Sequence, residues 1–118
     1  MSNAAIFLGW NRPFQNRESQ AMDLMSRLNK YLEKLKNSGQ ITSYTRVWLE
    51  PHGGDLNGFV LIEGEVGKLQ ALKQTDEWNE GVIRLGLAFD GVGINHAIVR
   101  SAVDQEEARV LKVLKEKE

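Results

Sequence analysis

The feature that most limits the fold is the order in which apolar side chains change their spacing between residues 5 and 100. Residues 5–10 form a short apolar and aromatic run that ends at Asn11-Arg12-Pro13, where proline removes a backbone donor and closes a strand. Ala21, Leu24, Met25, Leu28, Leu32 and Leu35 then recur at intervals of three and four. Arg27, Lys30, Glu33, Lys34 and Lys36 fill the other side, so the segment is predicted to be an amphipathic helix. Asn16 is suited to cap its start, and Asn37-Ser38-Gly39 to end it through a left-handed turn. Residues 41–50 are rich in β-branched and aromatic side chains, and Pro51 closes them. The turn-forming Pro51-His52-Gly53-Gly54-Asp55 leads to a second strand-like run at 58–65, which predicts a hairpin. Helical spacing returns after Val66 with Leu69 and Leu72, breaks near Thr75 at a fresh Thr75-Asp76 cap, and continues through Trp78, Val82, Ile83 and Leu85. Asp90-Gly91 signals a turn into a fourth strand at 92–100.

Strand, helix, hairpin, helix, strand is the split βαβ arrangement, in which each helix crosses over to bring its following strand into a single sheet. The expected architecture is therefore α+β, a ferredoxin-like βαββαβ domain over residues 5–100 with an antiparallel four-stranded sheet and both helices on one face. Residues 101–118 read as a C-terminal helical extension. Asp104 and Glu107 have the form of a capping box, with Val103 and Ala108 spaced as a hydrophobic staple. The narrow stripe of Val110, Leu111 and Leu114 suits a helix on the surface or against a partner, and Lys112, Lys115, Glu116, Lys117 and Glu118 suit a solvated end. Ser2-Asn3-Ala4 resembles the remnant of a cleaved purification tag and is given no structural weight.

The second strand carries the argument beyond fold. Its odd positions, Ile41, Ser43, Thr45, Val47 and Leu49, are assigned to the helix-packed face. Its even positions, Thr42, Tyr44, Arg46, Trp48 and Glu50, then lie opposite, joined by Phe59, Leu61 and Glu63 of the next strand. A merely solvated face would not carry two large aromatics around an arginine, so this face is expected to be covered. A two-fold pair of copies packing sheet against sheet supplies that cover most simply.

Composition narrows the partners. A chain of 118 residues, 42% hydrophobic and 26% charged, fits one globular domain that gains from burying further surface against a second copy. A formal net charge of −1 lacks the basic field that draws proteins to phosphate backbones, so no nucleic acid partner is expected. The chain has no cysteine, which excludes disulfides, thiolate nucleophiles and Cys-based metal sites. No apolar run approaches the roughly 20 residues of a membrane helix, so no membrane association is expected and a cytoplasmic location is the default.

In element order, segment lengths and the Asp90-Gly91-Val92-Gly93 lead into the last strand, residues 5–100 resemble the dimeric α/β-barrel superfamily. These ferredoxin-like proteins include small monooxygenases, haem-degrading enzymes, isomerases and stress-responsive proteins. The resemblance is one of fold, without a diagnostic motif. It implies a homodimer with its ligand or active site between the sheet and the neighbouring helices. Asn11, at the end of the first strand, and Trp78, in the second helical region, resemble the asparagine and tryptophan that some haem-degrading relatives and small monooxygenases use near substrate. No histidine lies in the second helix, where such a relative would ligate haem, so haem is disfavoured and no cofactor is expected.

Among the residues themselves, Arg46 between Tyr44 and Trp48 could hold a carboxylate or enolate-like oxygen while the rings stack on a planar ligand. The structural alternative pairs Arg46 with Glu50 or Glu63 inside a dry dimer core. His52 and His96 show no HxH, HxxxH or HExxH spacing, so no metal is expected. His96 shares strand parity with Ile94 and Ile98, which suits a core or interface histidine better than a general base. Gly53-Gly54 lacks the lysine and context of a phosphate loop. The expected function is a small-molecule-binding dimer whose aromatic and polar pocket is built from Tyr44, Arg46, Trp48, Phe59 and Glu63 with His96 nearby, and Asn11 and Trp78 are further candidate ligand-binding residues. The alternatives are a cofactor-independent monooxygenase or isomerase in which His96 or Glu63 moves a proton, and a purely structural homodimer.

Overall fold

Apolar spacing becomes secondary structure much as the pattern demands. The computed structural model describes residues 3–117. In chain order it contains β1 (Ala4–Trp10), α1 (Glu18–Asn37), β2 (Ser43–Trp48), β3 (Gly58–Gly64), α2 (Val66–Leu72), α3 (Asp76–Ala88), β4 (Gly93–Ile98) and α4 (Ser101–Glu116). The strands form one sheet in the order β2-β3-β1-β4, antiparallel at every pairing, so the α+β ferredoxin-like architecture holds. No helix among the described residues is long and apolar enough to cross a membrane.

The core lies between the sheet and the helices on one face. Ile6 and Leu8 of β1 and Val60 and Ile62 of β3 are paired across the ladder and pack against Leu32 and Leu35 of α1, Leu69 and Leu72 of α2, and Trp78 and Leu85 of α3. Burying each such aliphatic side chain stabilises the fold by about 1.5–3 kcal/mol relative to exposure. The predicted helix break is present: Thr75 caps α3 by accepting the Trp78 N–H at 3.4 Å. Glu65, expected at the end of the third strand, instead caps α2 by accepting the Gly67 and Lys68 N–H groups at 3.0 and 3.1 Å. These two bonds hold its carboxyl below the ordinary range.

Other boundaries differ for local reasons. Asn16 takes φ 67° and precedes the cap position, which Arg17 fills without a side-chain bond, while Asn16 N–H donates to Glu18 at 3.3 Å. Helix α4 opens at Ser101 behind Arg100, which takes φ 55°, so Asp104 lies inside the first turn and the expected capping box is not used. Asn3 and Ala4 carry structure after all: Asn3 O accepts from Val99 N–H at 3.0 Å, and Ala4 pairs with Gly64 and Ile98. Ser2 lies outside the described residues.

The main correction concerns the faces of β2. Tyr44 pairs with Ile62, Arg46 with Val60 and Trp48 with Gly58. Directly opposed residues on an antiparallel ladder share a face, so these three side chains lie on the helix-covered side, opposite to expectation. Ser43, Thr45 and Val47 lie with Glu63, Leu61 and Phe59 on the open side. The parity fails because the chain bends at Thr42: Ile41 is buried in the core as assigned, but the bend restarts the alternation at Ser43. Contact with α1 fixes the new phase, since the Tyr44 hydroxyl donates to Glu33 at 2.5 Å and lies 3.3 Å from Asn29 Oδ1.

The open face consists of three rows across the sheet: Val47-Phe59-Gly9-Gly93, Thr45-Leu61-Phe7-Asn95 and Ser43-Glu63-Ala5-Ala97. The Phe7 and Phe59 rings sit with centroids 5.0 Å apart. Phe7 lies over Gly9, where a Cβ would come within 2.7 Å of the ring, so glycine is what lets the rings meet. Buried Glu63 pairs with Arg100 at the start of α4. Helix α4 itself buries no residue and leaves Val110, Leu111 and Leu114 exposed.

Candidate functional site

Two amphipathic helices laid side by side on a sheet leave a groove wherever their facing side chains are short. Helices α1 and α3 leave one of about 630 Å³, floored by Leu8 of β1 and walled by Leu24, Leu28, Tyr31, Trp78 and Leu85. The α1 stripe supplies one wall. The Thr75 cap fixes the first turn of α3, so Trp78 enters the core one turn in and forms the other wall. Gly81 lies one turn further along. A Cβ there would meet nothing within 4 Å, so no contact within this chain requires glycine.

The mouth of the groove is charged. Lys34 pairs with Glu77 at 3.0 Å and Arg84 with Glu80 at 3.5 Å. Arg27 and Lys30 line the same mouth and make no ion pair or hydrogen bond among the described residues, which leaves a net positive rim. Burial pushes the Tyr31 phenol upward, a hydrogen bond with Thr75 opposes this, and the Glu77 carboxylate adds to the rise. Tyr31 is thus a neutral hydroxyl at ordinary pH, with the Lys34 ammonium 5.9 Å from its ring centroid. Trp78 is 4% exposed, and its indole N–H, which has no protein acceptor among the described residues and is not a buried unsatisfied donor, reaches solvent.

The residues expected from the sequence to form one pocket are dispersed. Trp78 lines the α1–α3 groove. Asn11 and Trp48 line a second cleft of about 430 Å³ at the strand ends. Tyr44 is tied to α1 by its hydroxyl, and Arg46 is exposed on the edge strand; neither lines either cleft. Phe59 and Glu63 face the open side of the sheet. His96 pairs with Ile6 and so lies on the helix side, sharing parity with Ile94 and Ile98 as expected. It is exposed, with Nε2 3.4 Å from Lys73 Nζ. His96 and Glu63 therefore stand on opposite faces of the sheet. No group of three or more His, Asp or Glu side chains among the described residues is arranged to hold a metal ion.

Arg27, Lys30, Tyr31 and Gly81 were not singled out from the sequence. A signal existed: Arg27, Lys30 and Lys34 recur at helical spacing along the border of the α1 stripe, and Gly81 interrupts an otherwise good helix.

No protein-family model and no curated protein matches the sequence. Solved structures do match in fold. A conserved protein from Methanosarcina mazei Go1 is 19% identical with TM-score 0.61, over 84% of this chain and 95% of that one. A dimeric ferredoxin-like protein of unknown function from Jannaschia sp. CCS1 is 13% identical with TM-score 0.59, over 82% and 98%. A cofactor-independent oxygenase from Streptomyces nogalater is 9% identical with TM-score 0.54, over 84% and 95%. At such identities the likeness establishes the fold, and the fold-level resemblance expected from the sequence holds.

Proposed function

We propose that the chain is a small-molecule-binding protein that acts as a homodimer, with the α1–α3 groove as its ligand site and an amphipathic anion as its ligand class. The observation that carries the reading is Gly81. A glycine in a helix interior costs about 1 kcal/mol relative to alanine, and no packing within the chain requires it here. Keeping the groove open accounts for it. The volume falls in the range of small-molecule sites, roughly 300–1,000 Å³. The apolar floor suits an alkyl or ring body, while Arg27 and Lys30 offer an anionic group two cations without other partners. This cleft replaces the pocket expected around Tyr44, Arg46 and Phe59.

Binding is favoured over proton transfer because neither histidine lines the groove, and Glu77 and Glu80 at its mouth are each engaged by a cation. Homodimer formation is supported by the open face, where Phe7, Phe59 and Leu61 lie side by side, and by the dimeric state of the Jannaschia protein. A standard interface buries about 800 Å² per partner, an area on the scale of one such sheet face. In this reading residues 5–100 form the binding domain and 101–118 an appended helix.

Calorimetry with octanoate and with octylammonium, which share a tail and differ in charge, tests the site. Octanoate should bind at least about tenfold more tightly, a difference of about 1.4 kcal/mol, and Gly81→Leu should abolish that binding while leaving the circular dichroism spectrum intact. Equal affinity of Gly81→Leu for octanoate would refute the site. Light scattering should give twice the chain mass for the wild type and the single mass for Leu61→Lys; a monomeric wild type would refute the dimer.

A further inference from the structure

A second, separate cleft lies where the sheet meets the loops at the end of β1. Across three strands on the helix-covered side runs the row Trp48-Gly58-Trp10. Gly58 has no side chain to separate the two indoles, and a Cβ there would come within 3.1 Å of Trp10 Cζ2 and 3.2 Å of Trp10 Nε1. The edge of the Trp10 ring thus reaches over Gly58 towards Trp48, whose backbone stands one further strand spacing, about 5 Å, away.

The two tryptophans differ in a telling way. Trp10 is 4% exposed and backed by Phe89, ring centroids 5.9 Å apart, whereas Trp48 is 65% exposed. An indole left mostly in water beside a 430 Å³ cleft gives up the burial that tryptophan ordinarily provides. Although the Trp10 side chain is largely buried, its indole N–H has no acceptor among the described residues and is not a buried unsatisfied donor, so it opens to solvent at the cleft, where an acceptor on a ligand could replace water.

The walls are already fixed. His52 Nδ1 accepts from Gly54 N–H at 3.2 Å, which places the ring proton on Nε2, 2.9 Å from Leu56 O. The hairpin loop is tied further by Leu49 N–H to Asn57 O at 2.8 Å and by Asn57 N–H to Trp10 O at 2.9 Å. Asn11 is held by its N–H to Asp90 O at 2.8 Å, and its side chain lies on Gly91, where φ is 63° and a Cβ would come within 2.2 Å of the amide nitrogen. Met22 and Met25 of α1 close the remaining side with adaptable thioethers.

We infer that this cleft binds a planar, uncharged aromatic molecule of about two fused rings, stacked on the exposed face of Trp48, with a ring carbonyl accepting the Trp10 indole N–H. The site is independent of the α1–α3 groove, and the two are lined by different residues.

Coumarin, planar with one carbonyl, and trans-1-decalone, a puckered bicyclic ketone of similar size, test it by calorimetry on the full chain. Coumarin should bind at least about tenfold more tightly than the decalone, because only a flat ring stacks. Trp48→Ala, at an exposed position that leaves folding intact by circular dichroism, should weaken coumarin about tenfold, and Trp48→Phe should retain most of the affinity. Gly81→Leu should leave coumarin binding unchanged, which separates this site from the groove. No coumarin binding by the wild type at millimolar concentration, equal binding of both probes, undiminished binding by Trp48→Ala, or loss of coumarin binding in Gly81→Leu would each overturn the inference.

Discussion

Replacing Gly81 with alanine should make the protein more stable and, if the α1–α3 groove is the ligand site as proposed, weaken binding there. Gly81 is the sixth of 13 residues in α3, so both of its neighbouring turns are helical. A Cβ there meets open space and its φ lies outside the left-handed region, so the substitution introduces neither clash nor backbone strain. What remains is the difference in helix propensity, about 0.8–1.0 kcal/mol in favour of alanine. For a chain of 118 residues, an unfolding entropy of about 2.1 cal/mol/K per residue totals roughly 250 cal/mol/K, so the gain corresponds to a rise in Tm of about 4 °C. Gly86 is the control: it lies in the same helix, its Cβ also meets nothing within 4 Å, and it does not line the groove. Scanning calorimetry should show Gly81→Ala and Gly86→Ala both raising Tm, with the smaller effect at Gly86 because it lies within the last turn. Octanoate titration should show weakened binding for Gly81→Ala alone. A fall in Tm on Gly81→Ala would mean that the position is not open. A rise in Tm with octanoate affinity unchanged would mean that the glycine does not serve the groove.

Two further outcomes follow from the ionisable groups. The Tyr31 phenol is pushed above its unfolded value of 10.0, mainly by burial, so its contribution to stability is complete below pH 10 and is lost as pH rises through the folded value. Melting temperatures between pH 9 and 11 should therefore fall less steeply in Tyr31→Phe. The remaining slope should come from Tyr44, which is raised chiefly by its hydrogen bond to Glu33; an unchanged slope would refute the assignment. At the open face, Arg100→Ala leaves the largely buried Glu63 carboxylate without the cation it faces, whereas Glu63→Gln removes the charge itself. Urea unfolding should show the greater loss for Arg100→Ala, and the reverse order would show that the pair does not govern this corner.

The fold was legible because it rests on local periodicity. The three-and-four spacing from Ala21 to Leu35, the Thr75 cap and the Asp90-Gly91 turn are each specified by a few neighbouring residues, and together they fix the element order. The core position of Trp78 was legible for a related reason, since its place one turn beyond a cap and its helical spacing commit it to packing. The assignment of β2 failed at one residue. A bend at Thr42 moved Tyr44, Arg46 and Trp48 to the other face, and nothing local to the strand records that shift; the Tyr44 hydroxyl finding Glu33 on α1 does.

The clefts lay further from reach. The sequence by itself determined which segments are helix and strand, in what order, and which stripe of each is apolar, because those properties depend on side chains a few positions apart. Only the tertiary structure decided that Gly81 faces Leu28 and Tyr31 across a groove, and that Trp10 and Trp48, 38 positions apart, flank Gly58. Strand order and register set these neighbours, and both are fixed by the closing of the whole core.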